Sequence, residues 1–291
     1  SYLEYSTSDD ILVIAYENGQ IDLLKDNQIL NVNSIYINEG ISTSKRINHV
    51  SIFNNRAYLS TDFGLPILDL KTGLFQETPK HFGAVYSSTI LEERDSIFVI
   101  SETGVHTASL QSKNLLDPNQ WATHDENNQV PTETLVSIAS LNNDVYLASS
   151  NGVYALENQI WKNKKTVTNT ISSLTEGRGS LTFCYADTVA KIISKTEIEI
   201  FTSSLLNKAN IARVDKNGSI QVTDSLNGLV VIANESKSYF PSGPNHADAF
   251  RIKFFDNKVT VLSGAYSSTG IATNSTNGFY DYTSLTWTNY E

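Results

Sequence analysis

Few residues in this 291-residue sequence have the chemical groups and the spacing of a reactive site. The five histidines are far apart in the chain, at His49, His81, His106, His124 and His246. A zinc site usually takes at least two ligands from one short motif, so this spacing predicts turn or surface histidines and no metal site. The single cysteine, Cys184, lies in an apolar run with no group nearby to activate it, which predicts a buried, unreactive thiol.

Three short motifs match functional signatures only in part. Residues 215–219 begin like a calcium-binding loop, but Leu226 stands where the twelfth position requires a bidentate glutamate, so we expect a hairpin. Residues 62–64 (Asp-Phe-Gly) spell a kinase motif without its companion loops and are expected to form a turn. The adjacent carboxylates at 9–10 and 92–93 are expected to point in different directions and to be solvated, so they do not predict an acid–base pair. We therefore predict no catalytic residues, no cofactor and no enzymatic activity, with a propeller lyase or hydrolase as a weaker alternative.

Long polar loops are the remaining places for a ligand, because loops on a rigid scaffold carry most binding residues. The longest lie at 35–46, 115–131, 237–249 and 266–277. The third contains Tyr239, Phe240 and His246, and Arg251 follows it. Aromatic faces beside a cation suit an anionic sugar through stacking and charge-assisted hydrogen bonds. These four residues are our candidate ligand-binding site, with loop closure without a ligand as the alternative.

Composition excludes several classes of partner. The chain has 31 acidic and 21 basic residues and a net charge of -10, which opposes binding to nucleic acid phosphates. The longest apolar run, residues 11–16, is far shorter than the roughly 20 residues needed to span a bilayer, so no transmembrane segment is predicted. One cysteine cannot form a disulfide framework within the chain.

The elements that position these residues form a repeat. An apolar strand followed by a small polar pair and a glycine recurs about every 40 to 45 residues, and Asn, Asp and Gly turns separate further short strands in each unit. This pattern predicts an all-β fold, a β-propeller of about seven four-stranded blades that occupies residues 1–291 as one domain. Trp121, Trp161 and Trp287 fall near the starts of outer strands, where we expect them to pack between blades.

Several strings within these units carry a family resemblance. They are residues 12–24, 47–49, 57–64, 149–154, 224–230, 249–251, 277–280 and 287–289. Together they resemble the PorZ-like propeller components of the type IX secretion system of Bacteroidetes. The string at 12–24 (Leu-Val-Ile-Ala-Tyr-Glu-Asn-Gly-Gln-Ile-Asp-Leu-Leu) is the most specific, whereas the others are shared with regulator-type propellers of hybrid sensor kinases.

The resemblance implies an exported protein held at the cell surface in association with the outer membrane, with the periplasm as the alternative. It implies two propellers and a small C-terminal β-sandwich, of which this chain, opening at Ser1 without an initiator Met, would be a piece. The implied function is that of a scaffold that assists a sortase in attaching cargo to anionic lipopolysaccharide. The alternative is the extracytoplasmic glycan-sensing propeller of a hybrid two-component regulator.

Overall fold

The computed structural model describes residues 2–177, 179–240, 243–244, 249–264, 266–267, 269–273, 277–284 and 286–290. These residues form seven four-stranded antiparallel sheets, each built from four strands that follow one another in the chain. The predicted fold class is thereby confirmed: the protein is an all-β propeller of seven four-stranded blades. The chain divides into two compact units, residues 1–238 and 239–291, which are described separately.

The first unit holds the first six sheets, apart from Tyr239 at the end of the sixth. The first two sheets consist of β1 (Tyr2–Ser6), β2 (Ile11–Ala15), β3 (Ile21–Lys25), β4 (Gln28–Val32), β5 (Ile47–Phe53), β6 (Arg56–Thr61), β7 (Ile67–Asp69) and β8 (Phe75–Glu77). The third and fourth consist of β9 (Val85–Leu91), β10 (Ser96–Ser101), β11 (Gly104–Ser109), β12 (Ala122–His124), β13 (Leu135–Leu141), β14 (Asp144–Ser149), β15 (Gly152–Glu157) and β16 (Ile160–Thr166).

The fifth and sixth sheets consist of β17 (Ile171–Gly177), β18 (Ser180–Tyr185), β19 (Thr188–Ser194), β20 (Glu197–Thr202), β21 (Ala209–Val214), β22 (Ile220–Asp224), β23 (Gly228–Ile232) and β24 (Lys237–Tyr239). The second unit holds the seventh sheet, with β25 (Ala249–Phe255), β26 (Lys258–Ser263), β27 (Phe279–Thr283) and β28 (Thr286–Tyr290). Short 3-10 turns lie at Glu92–Arg94, Pro118–Gln120 and Glu126–Asn128. Among the described residues, no helix is long and apolar enough to cross a membrane.

The core of the first unit lies between consecutive sheets. Five apolar clusters each draw buried side chains from two neighbouring sheets, from the first and second through to the fifth and sixth. The second strands of the third and fourth sheets are covered on both faces, so β10 and β14 are buried at every position except the first. Trp121 and Trp161 belong to two of these clusters, which confirms their predicted packing, and Trp287 is half-buried against Tyr282.

The first strand of every sheet from the second to the seventh contains a β-bulge at its second residue. The bulged residues are Asn48, Tyr86, Val136, Ser172, Asn210 and Phe250. A bulge adds one residue against its partner strand and redirects the side chains that follow it. A bulge at the same position therefore sets the direction of the side chains in the first strand of six sheets.

The predicted turns are also observed. The Thr61 amide donates to the carbonyl of Gly64 at 3.0 Å, so residues 62–64 form a blade turn. The Asp215 amide donates to the carbonyl of Ser219 at 2.8 Å and closes the hairpin between β21 and β22. Both motifs that imitate a functional signature are thus turns between strands.

Candidate functional site

Charged and titratable side chains from four first strands come together in the first unit. We call this group the first-strand cluster, and it consists of Tyr2, Glu4, His49, Glu176 and Arg213. Its centre is an ion pair in which Arg213 Nη2 donates to Glu4 Oε2 at 2.8 Å. Because Glu4 lies in the first sheet and Arg213 in the sixth, the pair joins residues at opposite ends of the first unit's chain.

Strand periodicity explains how these side chains come to share a site. Successive residues of a strand point to opposite faces, so Tyr2 and Glu4 share one face of β1. In β21, Ala212 packs into the apolar cluster between the fifth and sixth sheets, and Arg213, the next residue, points away from that cluster. In β5, the bulge at Asn48 precedes His49, whose ring meets that of Tyr2 edge to face at 4.8 Å.

Burial and charge shift the titration of the cluster. Burial lowers the pKa of His49 to about 4, and the positive charge of Arg213 contributes to the same shift. Burial raises the pKa of Tyr2, with a further contribution from Glu4. Desolvation also raises the pKa of Glu176, and the Glu4 carboxylate adds to it. Burial acts to lower the pKa of Arg213, but Glu4 and Tyr2 outweigh it and raise that pKa. His49 is therefore neutral and Arg213 charged at pH 7.

The cluster can recognise a charged or hydrogen-bonding group. The Arg213 side chain is 43% exposed although it is ion-paired, and Glu176 is also exposed. A guanidinium has five N–H donors, of which the bond to Glu4 takes one, so others remain to bind a partner. The Nδ1 atom of His49 is buried without a hydrogen-bond partner in the part of the chain that the structure describes.

Hydroxyl groups hold the first strands at fixed spacing. Ser51 Oγ donates to the carbonyl of Ser88 at 2.7 Å, joining the second and third sheets. Ser137 Oγ and Ser172 Oγ donate to the carbonyls of Leu174 (3.0 Å) and Ala209 (2.9 Å) and join the fourth to the fifth and the fifth to the sixth. The serines that recur in the first strands are the signal from which this ladder could have been predicted.

The first-strand cluster was missed by the sequence analysis. Its members are more than 30 residues apart in the chain, except Tyr2 and Glu4, and the individual residues form no local motif. Only the repeat indicates that these residues belong together. All five members lie in the first strand of their units. Polar residues of first strands are thus a second starting point for a candidate site, beside the long loops.

The predicted ligand-binding residues lie elsewhere, and the prediction for them stays untested. Tyr239, at the end of β24, and Phe240 are exposed, as is Arg251 in β25. His246 lies outside the described residues. The structure therefore neither assembles the four residues into a site nor separates them.

The prediction of loose turn or surface histidines is wrong for His106 and His124, and also for His49, which lies in β5 with its Nδ1 atom buried. His106 and His124 are buried, in β11 and β12, and His106 lies in a strand whose neighbouring residue Val105 is also buried. His106 Nε2 lies 3.1 Å from Ser101 Oγ and its Nδ1 lies 3.1 Å from Thr123 Oγ1, and burial lowers its pKa to about 4. The described residues contain no group of three or more His, Cys, Asp or Glu that could hold a metal ion.

Cys184 lies where the sequence predicts it. The side chain is fully buried in the cluster between the fifth and sixth sheets. Burial raises the pKa of its thiol to about 12, so the reactive thiolate is scarce at pH 7. The prediction of a buried thiol is confirmed.

Comparisons with known proteins support the family resemblance. Residues 1–122 match the family model described as the N-terminal beta-propeller domain of PorZ from the type IX secretion system. No curated protein matches the chain significantly. The predicted resemblance to PorZ-like propellers is therefore confirmed, and the family model matches the first 122 residues.

Solved structures extend the similarity in fold to the whole chain. PorZ of Porphyromonas gingivalis, described as an essential bacterial surface component of the type IX secretion system, matches 100% of this chain with a TM-score of 0.80 and 22% identity. The extracellular domain of the putative one component system BT4673 from B. thetaiotaomicron matches 97% with a TM-score of 0.67 and 15% identity. This chain spans 39% of the first of those chains and 44% of the second.

Proposed function

We propose that this PorZ-like propeller is a non-enzymatic binding and scaffold module of a type IX secretion system. The match of residues 1–122 with the PorZ propeller family carries the proposal, and the likeness in fold to PorZ over the whole chain supports it. In this role the domain assists a sortase in attaching cargo to anionic lipopolysaccharide. It works at the cell surface, in association with the outer membrane.

The first-strand cluster is the contact that we assign to a protein partner. It presents an exposed guanidinium and a carboxylate on strands that serine hydroxyls hold rigidly. A rigid pair of opposite charges favours a partner that offers complementary charges at the same spacing, because little ordering entropy is lost on binding. The loop residues Tyr239, Phe240, His246 and Arg251 remain our candidate contact for the anionic glycan.

The test uses the full-length protein that contains this chain, expressed in its own host. We expect the sortase and anionic lipopolysaccharide to co-purify with it, and cargo attachment to fail when its gene is deleted. Arg213→Gln should weaken sortase recovery, whereas Arg46→Gln, which removes an exposed arginine from the loop before β5, should leave it unchanged. Association with neither sortase nor lipopolysaccharide would overturn the proposal.

The second candidate is a glycan-sensing domain of a hybrid two-component regulator. The observation that favours it is the likeness in fold to a BT4673 extracellular domain described as that of a putative hybrid two component system (TM-score 0.59, 16% identity). The two functions differ in the phenotype of a deletion. Loss of glycan-induced transcription with intact cargo attachment would support the sensor. Loss of cargo attachment with intact transcriptional responses would support the secretion role.

A further inference from the structure

A surface cavity of about 670 Å³ lies where turns from the third, fourth and fifth sheets meet. Arg94 enters it from the connection between β9 and β10, and Lys195 and Thr196 from the turn between β19 and β20. Asn158 and Gln159 form the turn between β15 and β16. In an antiparallel sheet, the turn after the first strand and the turn after the third lie at the same end, which explains why these turns meet. We call this the cationic cavity.

The cationic cavity carries an excess of positive charge in a chain whose net charge is -10. Three of its lining residues, Arg94, Lys164 and Lys195, are cations, and the acid among its described lining residues is Glu157. Glu157 accepts from both Lys164 and Lys162, and its hydrogen bond with Lys164 is the first cause of its lowered pKa. Glu157 is therefore ionised at pH 7 and still neutralises only one of these two lysines.

A second carboxylate draws the other two cations together. Asp144 Oδ1 lies 2.6 Å from Lys195 Nζ and 3.8 Å from Arg94 Nη2, so the two nitrogens are no further apart than the sum of these distances. Arg94 Nε also donates to Asn143 Oδ1 at 3.1 Å, which fixes the direction of the guanidinium. The Arg94 and Lys195 side chains are 48% and 33% exposed, so both can still contact a ligand.

The uncharged part of the lining is also held in place. Asn158 and Gln159 have positive φ values of 51° and 67°, as a two-residue hairpin turn requires. Asn128 Nδ2 donates to the carbonyl of Gln159 at 2.7 Å and ties this turn to the preceding loop. The side-chain amides carried by this turn suit the hydroxyl groups of a sugar, which both donate and accept hydrogen bonds.

We propose that the cationic cavity binds the phosphate group of a phosphorylated saccharide. The four basic side chains at and beside the cavity (Arg94, Lys162, Lys164 and Lys195) outnumber the two carboxylates that pair with them (Glu157 and Asp144) by two charges. A group with two negative charges balances this excess better than a single carboxylate. The cavity is larger than a phosphate ion, and Asn158, Gln159 and Thr196 add amide and hydroxyl groups to its lining that an attached sugar can contact. The inference stands on these charges and distances and does not depend on the secretion role.

The test is isothermal titration of the full 291-residue chain at low salt, with glucose 6-phosphate, glucose and inorganic phosphate as separate probes. We expect glucose 6-phosphate to bind with a Kd below about 1 mM, and glucose alone not to bind measurably. Arg94→Gln and Lys195→Gln should each weaken binding of glucose 6-phosphate about tenfold. Lys191→Gln is the matched control, because Lys191 pairs with Glu199 at 3.6 Å and does not line the cavity.

Each outcome decides the proposal. Far-UV circular dichroism and thermal unfolding must show that the variants are folded, which we expect because both side chains lie at the surface. Unchanged affinity in folded Arg94→Gln and Lys195→Gln, or no binding of glucose 6-phosphate, would overturn the site. If inorganic phosphate binds as tightly as glucose 6-phosphate, the saccharide part of the proposal is wrong and the cavity is a site for free phosphate.

Discussion

At the scale of single residues, the first-strand cluster depends on one ion pair and one buried imidazole. Arg213 forms an ion pair with Glu4, and its positive charge favours the neutral form of His49. A substitution at one of these positions therefore alters the electrostatics of the others. Groups that interact in this way do not contribute additively to stability. Their contributions have to be measured together.

The ion pair between Glu4 and Arg213 can be measured by a double-mutant cycle with Glu4→Gln and Arg213→Gln. We expect a coupling energy of about 1 kcal/mol in the free energy of unfolding, since the pair is half-buried and partly screened by solvent. Urea unfolding of the four proteins gives this value. A coupling energy indistinguishable from zero would contradict a net stabilising contribution of the pair.

His49 predicts a dependence of stability on pH. Its pKa is about 4 in the folded protein and about 6.5 in the unfolded chain, so between these values the unfolded state binds more protons. Its contribution is fully present above pH 6.5 and is lost as the pH falls to 4. The free energy of unfolding therefore falls as the pH is lowered across this interval, and we expect His49→Gln to make that fall smaller by about 3 kcal/mol.

The measurement is urea unfolding at a series of pH values. Tyr2→Phe is the matched control, since it keeps the ring beside His49 and adds no group that titrates between pH 4 and 6.5. Equal pH dependence in wild type and His49→Gln would show that His49 is not buried as described.

At the scale of elements, two glycines with positive φ allow the cost of backbone strain to be measured apart from the cost of a steric clash. Gly64 has φ +131° and Gly104 has φ +119°, values that favour glycine. A Cβ on Gly64 would lie 2.3 Å from the carbonyl oxygen of Pro79, whereas a Cβ on Gly104 would meet nothing within 4 Å. Of these two glycines, Gly64 therefore has both kinds of constraint and Gly104 has the backbone constraint alone.

We expect Gly64→Ala to lower the free energy of unfolding by more than about 3 kcal/mol, and Gly104→Ala by about 1 to 2 kcal/mol. The larger cost arises because the backbone of Pro79 has to move as well. Chemical denaturation of both variants tests the difference. Similar costs for the two would show that the segment around Pro79 adjusts without penalty.

The sequence predicts the elements better than it predicts the site, for a physical reason. Turn chemistry and the alternation of polar and apolar residues are local, so residues such as 62–64 and 215–219 could be assigned correctly as turns. The ion pair of Glu4 with Arg213 depends on which blades face each other, and no local pattern records that. Buried histidines were missed because hydroxyl partners such as Ser101 and Thr123 satisfy His106 only in the folded chain.

At the scale of the whole molecule, burial is graded along the chain. The second strands β6, β10, β14 and β18 are almost completely buried, whereas every residue of β24 and β25 is exposed. Exposed strands with few apolar contacts open at low free-energy cost. Stability is therefore expected to differ between the described parts of the chain.

We expect amide hydrogen exchange to follow this gradient. Amides in β6, β10, β14 and β18 should be protected longest, and those in β24 and β25 should exchange first. Mass spectrometry of peptides from the intact chain measures both groups in one experiment. Uniform protection across these strands would mean that the propeller opens only as a single cooperative unit.

Chemical labelling of Cys184 can report the local opening of the fifth sheet. It carries the chain's single sulfur atom, since the sequence contains no Met, and it lies fully buried in β18. A thiol-specific reagent can therefore modify the protein only after this part of the sheet has opened. At a reagent concentration high enough for modification to outpace reclosing, the rate of labelling equals the rate of opening. The natural sequence thus permits this kinetic measurement without an introduced probe and without side reactions at methionine.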